Sequence, residues 1–221
     1  KGGYMAKALE GIKVLEFGRY LTAPFCALLF VNLGAEVIKV EIPGSGDAQR
    51  TTTPVTEGGE AYLFIATNRG KKSITLNLGS EKGPKIAREL VKRMDVIIEN
   101  SGYGAMGRWG LGYEELSKIN SSLIYASISG FGDTGPDSSQ MAFDPTAQAR
   151  GGLMSVTGFP NNPPTRTGPS IADYITALHT AFAILAALRY KDKTGKGQFI
   201  DISMQDCIWS IVAPEYGGPS F

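Results

Sequence analysis

Histidine is almost missing from this chain, which carries one, His179, in 221 residues. A metal centre built from several imidazoles is thereby excluded, and a conventional Ser-His-Asp apparatus is disfavoured. Cysteine is nearly as scarce. Cys26 and Cys207 lie far apart in apolar contexts, which fits neither a disulfide framework nor a zinc site and predicts reduced thiols in the cytoplasm. Excess charge is also lacking, since 22 Lys and Arg against 21 Asp and Glu leave +1. A balance so close to neutral offers no footprint for nucleic acid or an anionic membrane, and neither partner is expected. The longest proline-free apolar run, Ala181 to Leu188, is too short to span a bilayer. Lys7, Glu10 and Lys13 interrupt what would be the apolar core of a signal peptide. Lys1 to Tyr4, ahead of Met5, read as an expression scar and are set aside.

What is present is an ordinary globular composition, 43% apolar and 19% charged, in a chain long enough for a substantial core. Gly11 to Phe17 is a β-prone run ending at Gly18, and Thr22 to Leu33, with Pro24 early and Gly34 closing it, predicts a helix. Glu36 to Glu41 gives a second strand, so the pair has a βαβ signature. Further strands are predicted at Lys72–Leu78, Asp95–Glu99, Leu123–Ser129 and Gln198–Ser203. Helices are predicted from Ser80 to Met94, with Ile86, Leu90 and Met94 on one face, over Tyr113–Lys118, over Ile171–Tyr190, and from Gln205 onward. Arg50 to Gly59 reads as irregular and exposed, and the stretch around Phe143–Gly152 as loop. The alternation implies a Rossmann-like α/β fold, an open and mostly parallel sheet with helices on both faces.

Asp173 is the leading candidate for chemistry. On the long helix, Ile175, Leu178, Phe182 and Leu185 recur at helical spacing and predict a core-facing stripe. Asp173 lies about 200° round from Ile175 at 100° per residue, off that stripe. Its neighbours Ala177 and Thr180 are small. Ser170 followed by Asp173 also has the spacing of a capping box, a role compatible with a nucleophile because a helix start favours an ionised carboxylate. Gly102 to Gly107 spells G-x-G-x-x-G after a strand, but the first βα unit lacks such glycines and no acid ends the next strand about 20 residues on. A turn needing positive φ and a loop approaching a phosphate, with Arg108 as charge partner, are both open readings. Asn68 to Ser73 forms a small basic cluster, and His179 reads as a packing residue.

Together these stretches resemble the family III CoA-transferases of the CaiB/BaiF type, from Leu9 to about Cys207. The landmarks are Leu9–Glu16, Leu33–Glu41, Asn68–Ser73, Asp95–Asn100, Phe143-Asp144 with Gln148-Ala149, Ser170–Asp173, Thr194–Gln198 and Met204–Asp206. The resemblance implies an enzyme that moves coenzyme A from an acyl-CoA donor to a carboxylic acid. Asp173 would attack the donor thioester to give an aspartyl mixed anhydride, and the released thiolate would then form an aspartyl-CoA thioester. It implies that Tyr20, Leu21 and Thr22 line the site, that Lys72, Asn100 and Arg108 hold the CoA moiety, and that Phe143 and Asp144 stand near the reacting carboxylate. No metal is implied, and the family pattern is an interlocked homodimer.

Residues 5–221 would correspond to the family's N-terminal large domain, cut short, with a smaller second domain and a glycine-rich loop lying beyond Phe221. Some positions depart from the family. Leu21 stands where formyl-CoA-using members carry glutamine, Ile42-Pro43 replaces a basic pair, and Phe143 takes the place of the racemase branch's histidine. A 2-methylacyl-CoA racemase is the same-family alternative. A non-catalytic CoA-binding chain and a nicotinamide-dependent oxidoreductase are the alternatives from other classes.

Overall fold

The computed structural model describes residues 7–216; the leading tetrapeptide and the glycine-rich end lie outside them. The chain runs β1 (Lys13–Glu16), α1 (Thr22–Asn32), β2 (Glu36–Glu41), α2 (Tyr62–Asn68), β3 (Lys72–Thr75), α3 (Lys82–Val91) and β4 (Val96–Glu99). It continues with α4 (Ala105–Arg108), α5 (Tyr113–Ile119), β5 (Ile124–Ser129), α6 (Asp144–Arg150), α7 (Ile171–Thr194), β6 (Phe199–Ser203) and α8 (Met204–Tyr216). The six strands form one sheet in the order β3-β2-β1-β4-β5-β6, and every pairing is parallel. This is the doubly wound arrangement, with the strand order reversing between β1 and β4.

Alternate residues of each strand feed two cores. Val14, Val37, Val96, Ile98, Ile124, Ala126 and Ile128 pack with α1 and α7. Leu15, Val40, Ile97 and Tyr125 pack with Ala87, Val91, Leu111 and Leu116 on the other face. Burial on both faces is why these strands read as continuous apolar runs. At the turn into β6, Gly195 ends α7 in the left-handed region (φ 71). A Cβ on Gly197 would stand 1.9 Å from the carbonyl oxygen of Leu123.

Several expectations need correcting. The core face of α7 is made of Ala172, Thr176, Ala177, Thr180, Ala181, Ile184, Ala187 and Leu188. Leu178, Phe182 and Leu185 are exposed instead. Two helices share one sheet face here, and small side chains let α7 pack closely against α1, so the bulky stripe turns outward. On α3 it is Ala87 and Val91 that are buried, while Ile86 is 47% exposed. Phe143–Gly152 is not a loop, because Asp144–Arg150 forms α6 with proline in its first turn, where a missing N–H costs nothing. The short helices α2 and α4 were also not expected. Finally, α7 is long and apolar enough by length and composition to cross a membrane, although its longest uninterrupted apolar run is short; in this fold its small-residue face lies against the sheet core.

Candidate active site

Buried charge supports the loop that follows β1. Glu16 and Lys39 are register partners on β1 and β2, and both are essentially inaccessible. Lys39 Nζ lies 2.9 Å from Glu16 Oε1 and 2.8 Å from Asp47 Oδ2, and it donates to the Gly18 carbonyl at 2.7 Å. Lys71 Nζ reaches Glu16 Oε2 at 2.7 Å and donates to the Pro24 carbonyl and Asn68 Oδ1. Burial works against charge on both lysines. Glu16 and Asp47 outweigh it at Lys39, whose pKa is raised, whereas at Lys71 burial prevails and the pKa is lowered. Nearby, burial alone would raise the Glu41 carboxyl, but hydrogen bonds from Arg50, Ser73 and the Asp47 amide hold it at about 2.

This network fixes residues 18–21. Asp47 Oδ1 accepts the Tyr20 N–H at 3.2 Å, and Tyr20 sits at φ 62, a left-handed conformation uncommon for a side chain of that size. Asn100, just past β4, accepts the Arg19 N–H at 2.9 Å and donates back to the Arg19 carbonyl at 3.0 Å. The Tyr20 ring meets Phe143 edge-on, centroids 5.6 Å apart. Thr22 then opens α1, and its buried hydroxyl donates to Asp173 Oδ1 in the first turn of α7.

Asp173 faces a cleft of about 170 Å³, shared with Arg19, Tyr20, Thr22, Asn100, Phe143 and Met204 among others. Burial pushes its carboxyl up to about 6; the Thr22 hydroxyl and Arg166 pull against the rise, and Asp144 adds to it. The capping box does not form. Ser170 makes no side-chain cap, and the α7 start is capped from another helix, by Asp144 Oδ1 accepting the Ala172 N–H at 2.8 Å. Asp144 also accepts from Gln148 Nε2 at 2.8 Å and lies 3.5 Å from Arg166 Nε. Asp173 is therefore released from helix capping.

The structure thus brings Tyr20, Thr22, Asn100, Phe143 and Asp173 to one cleft. Asp144 is 3% exposed and serves α7 from beneath, and Leu21 is buried. Lys72 stands apart at the start of the edge strand β3, its ammonium solvated and 3.0 Å from Glu36. Arg108 folds back onto the Tyr103 carbonyl. Gly102 and Gly104 both take positive φ, so the turn accounts for the first two glycines of the triplet, while Gly107 lies inside the four-residue helix that follows. His179 is exposed on α7, with Nδ1 on the Ile175 carbonyl. Glu16, Lys39 and Asp47 were missed, although Glu16 and Lys39 signal themselves as charge inside apolar strand runs; Lys71 was seen only as part of the basic cluster, without its inward role. Among the described residues no cluster of His, Cys, Asp and Glu is suited to a metal ion.

A second groove adjoins the first across Arg19 and Ser101. It holds about 290 Å³ over the C-terminal ends of β1 and β2, lined also by Phe17, Ile42, Leu76 and Trp109. Ligands of doubly wound sheets bind at the switch point, here between β1 and β4, where the Asp173 cleft opens.

The profile described as CoA-transferase family III matches residues 9–219. Human succinyl-CoA:glutarate CoA-transferase is 45% identical over 213 residues, covering 95% of this chain and 49% of its own. Succinyl-CoA:mesaconate CoA-transferase of Haloarcula marismortui is 43% identical over 212 residues, covering 92% and 53%. The crystal structure of a CaiB/BaiF family protein from Brucella suis superposes with a TM-score of 0.91 at 42% identity, over 96% of this chain and 57% of that one. The chain spans about half the length of the curated relatives it matches. With these matches running through the cleft-bearing sheet from end to end, the chain belongs to CoA-transferase family III.

Proposed function

We propose that this chain handles the CoA thioester in an enzyme that transfers coenzyme A from an acyl-CoA donor to a carboxylic acid, with Asp173 as the nucleophile. The observation that carries the reading is a carboxylate in a cleft, hydrogen-bonded at one oxygen only among the described residues, with its basicity raised by burial. At pH 7 and above it is ionised, and it is more basic than a solvated carboxylate, which favours attack on a thioester. Its attack breaks the C–S bond and leaves a mixed anhydride and CoA thiolate. The thiolate returns to the aspartyl carbon, releasing the donor acid and leaving an aspartyl-CoA thioester, and the acceptor carboxylate then collects CoA by the reverse sequence.

The groove over β1 and β2 suits the nucleotide end of CoA, with the thiol arm passing Arg19 and Ser101 towards Asp173. Asn100 acts here by holding Arg19, since both ends of its amide are engaged on that residue's backbone. The free, buried thiols of Cys26 and Cys207 support a reducing compartment, the cytoplasm.

The test is mass spectrometry after incubation with a panel of acyl-CoAs. An acyl or CoA adduct on Asp173 is expected, with no solvent deuterium entering the α-carbon in heavy water. Absence of any adduct on Asp173 in the full-length protein would overturn the mechanism, and rapid deuterium uptake would favour a racemase.

We also propose that the protein works as a homodimer. Leu178, Phe182 and Leu185 are 48%, 75% and 38% exposed along one side of α7, and a second copy is the partner that the family resemblance supplies. Phe182→Asp is expected to shift the sedimentation mass from dimer towards monomer. An unchanged dimer would remove α7 from the interface.

A further inference from the structure

We propose that the Thr22 hydroxyl is a catalytic hydrogen-bond donor: it selects which oxygen of Asp173 attacks, and it then stabilises the negative charge that gathers on the other. The inference rests on Asp173 being the acyl-accepting nucleophile, as proposed above.

The geometry is asymmetric. Thr22 is 4% exposed at the start of α1, and its hydroxyl donates to Oδ1 of Asp173. Among the described residues no hydrogen bond reaches Oδ2. The charged groups bearing on this carboxylate are Asp144 from α6 and Arg166 from the segment before α7. Neither competes with Thr22, because Asp144 is engaged with Ala172, Gln148 and Arg166. From α8, Met204 contributes an apolar wall, and Phe143 adds another. Thr22 is therefore the donor fixed on the carboxylate, and it leaves Oδ2 as the attacking oxygen.

The consequence differs between the two halves of the reaction. In the first, Oδ2 bonds to the donor's acyl carbon, the C–S bond breaks and the electron pair leaves on sulfur. A donor on Oδ1 stabilises the starting carboxylate here, so it lends this step little help. In the second half the thiolate adds to Cγ of Asp173 and the C=O π pair moves onto Oδ1. That developing oxyanion faces the Thr22 hydroxyl, which is already in place. Collapse re-forms the carbonyl, breaks the Cγ–Oδ2 bond and releases the donor acid as its carboxylate. Attack by the acceptor carboxylate on the aspartyl-CoA thioester places charge on Oδ1 in the same way.

The test separates the two steps in the full-length protein. In Thr22→Val, release of CoA in the first acylation is expected to stay within about threefold of wild type. Conversion of the anhydride to aspartyl-CoA should slow by about 10²- to 10³-fold, the usual effect of removing one oxyanion donor. The anhydride should then accumulate and be captured by hydroxylamine as a hydroxamate at Asp173. Thr22→Ser should restore wild-type partitioning, and the Asp173 carboxyl, followed by ¹³C NMR, should titrate at higher pH in the valine variant. If valine impairs folding, as judged by its melting curve, Thr22→Ala and Thr22→Ser give the same comparison. A valine or alanine variant that partitions like wild type overturns the proposal while leaving the nucleophile intact. A serine variant that behaves like valine also overturns it. A wild type with no adduct on Asp173 overturns the nucleophile and this inference with it.

Discussion

Asp173→Asn is expected to abolish turnover and, at neutral pH, to make the protein more stable. Loss of a covalent nucleophile lowers kcat on the order of 10⁴-fold or more. The stability gain follows from burial, which pushes the Asp173 carboxyl from 3.8 up to about 6 in the folded protein. The native state therefore holds this proton more tightly than the unfolded chain does. The resulting cost to stability is complete above about pH 6, shrinks as pH falls towards 3.8, and is gone below it. At about 1.4 kcal/mol per unit the penalty at pH 7 is roughly 3 kcal/mol, and asparagine, which never ionises, escapes it. Thermal melts at pH 7.5 should show the variant roughly 5 °C or more above wild type, with the advantage vanishing near pH 4. A variant that turns over within tenfold of wild type would remove Asp173 from the chemistry. One that melts no higher at pH 7.5 would show that the carboxylate bears no burial strain.

The second large effect is expected at Glu16. Glu16→Leu removes the acid that both Lys39 and Lys71 contact inside the protein. Lys39 keeps Asp47, but Lys71 is left with neutral acceptors alone among its hydrogen-bond partners. Breaking a buried pair from one side costs about 3–5 kcal/mol, because the remaining charge stays desolvated. Melting should fall by roughly 10 °C, and acylation of Asp173 should fail as well, since Lys39 holds the Gly18 carbonyl and its partner Asp47 holds Tyr20. Melting within 2 °C of wild type would show that the network adds little to stability.

The centre of the sheet was legible because burial on both faces writes an apolar run bounded by turn residues, as Val96-Ile97-Ile98 illustrates, whereas the half-exposed edge strands β3 and β6 showed only alternation. The helices were less so. Hydrophobic period gave the extent of α7 but not its orientation, since Phe182 and Leu178 carry the same signal whether they meet a core or remain outside it. Capping misled for a related reason. Ser170 and Asp173 have the right spacing, yet the cap comes from Asp144, a contact across 28 positions that local pattern does not encode. At Lys71-Lys72 the basic cluster was visible, but which lysine turns inward depends on the strand register. Thr22 was placed at the site by resemblance alone, and its side-chain partner appeared only with the third dimension.

Thr22 and Asp173 lie 151 positions apart in the chain, and the strands beneath them pair only through long-range crossovers. Such topologies form late and slowly, because wide loops must close before any contact rewards them. No partly folded intermediate in which α1 and α7 have not yet met can own the nucleophile with its hydrogen-bond donor in place. Acylation of a single side chain would thus serve as a chemical marker of complete maturation, read out one molecule at a time.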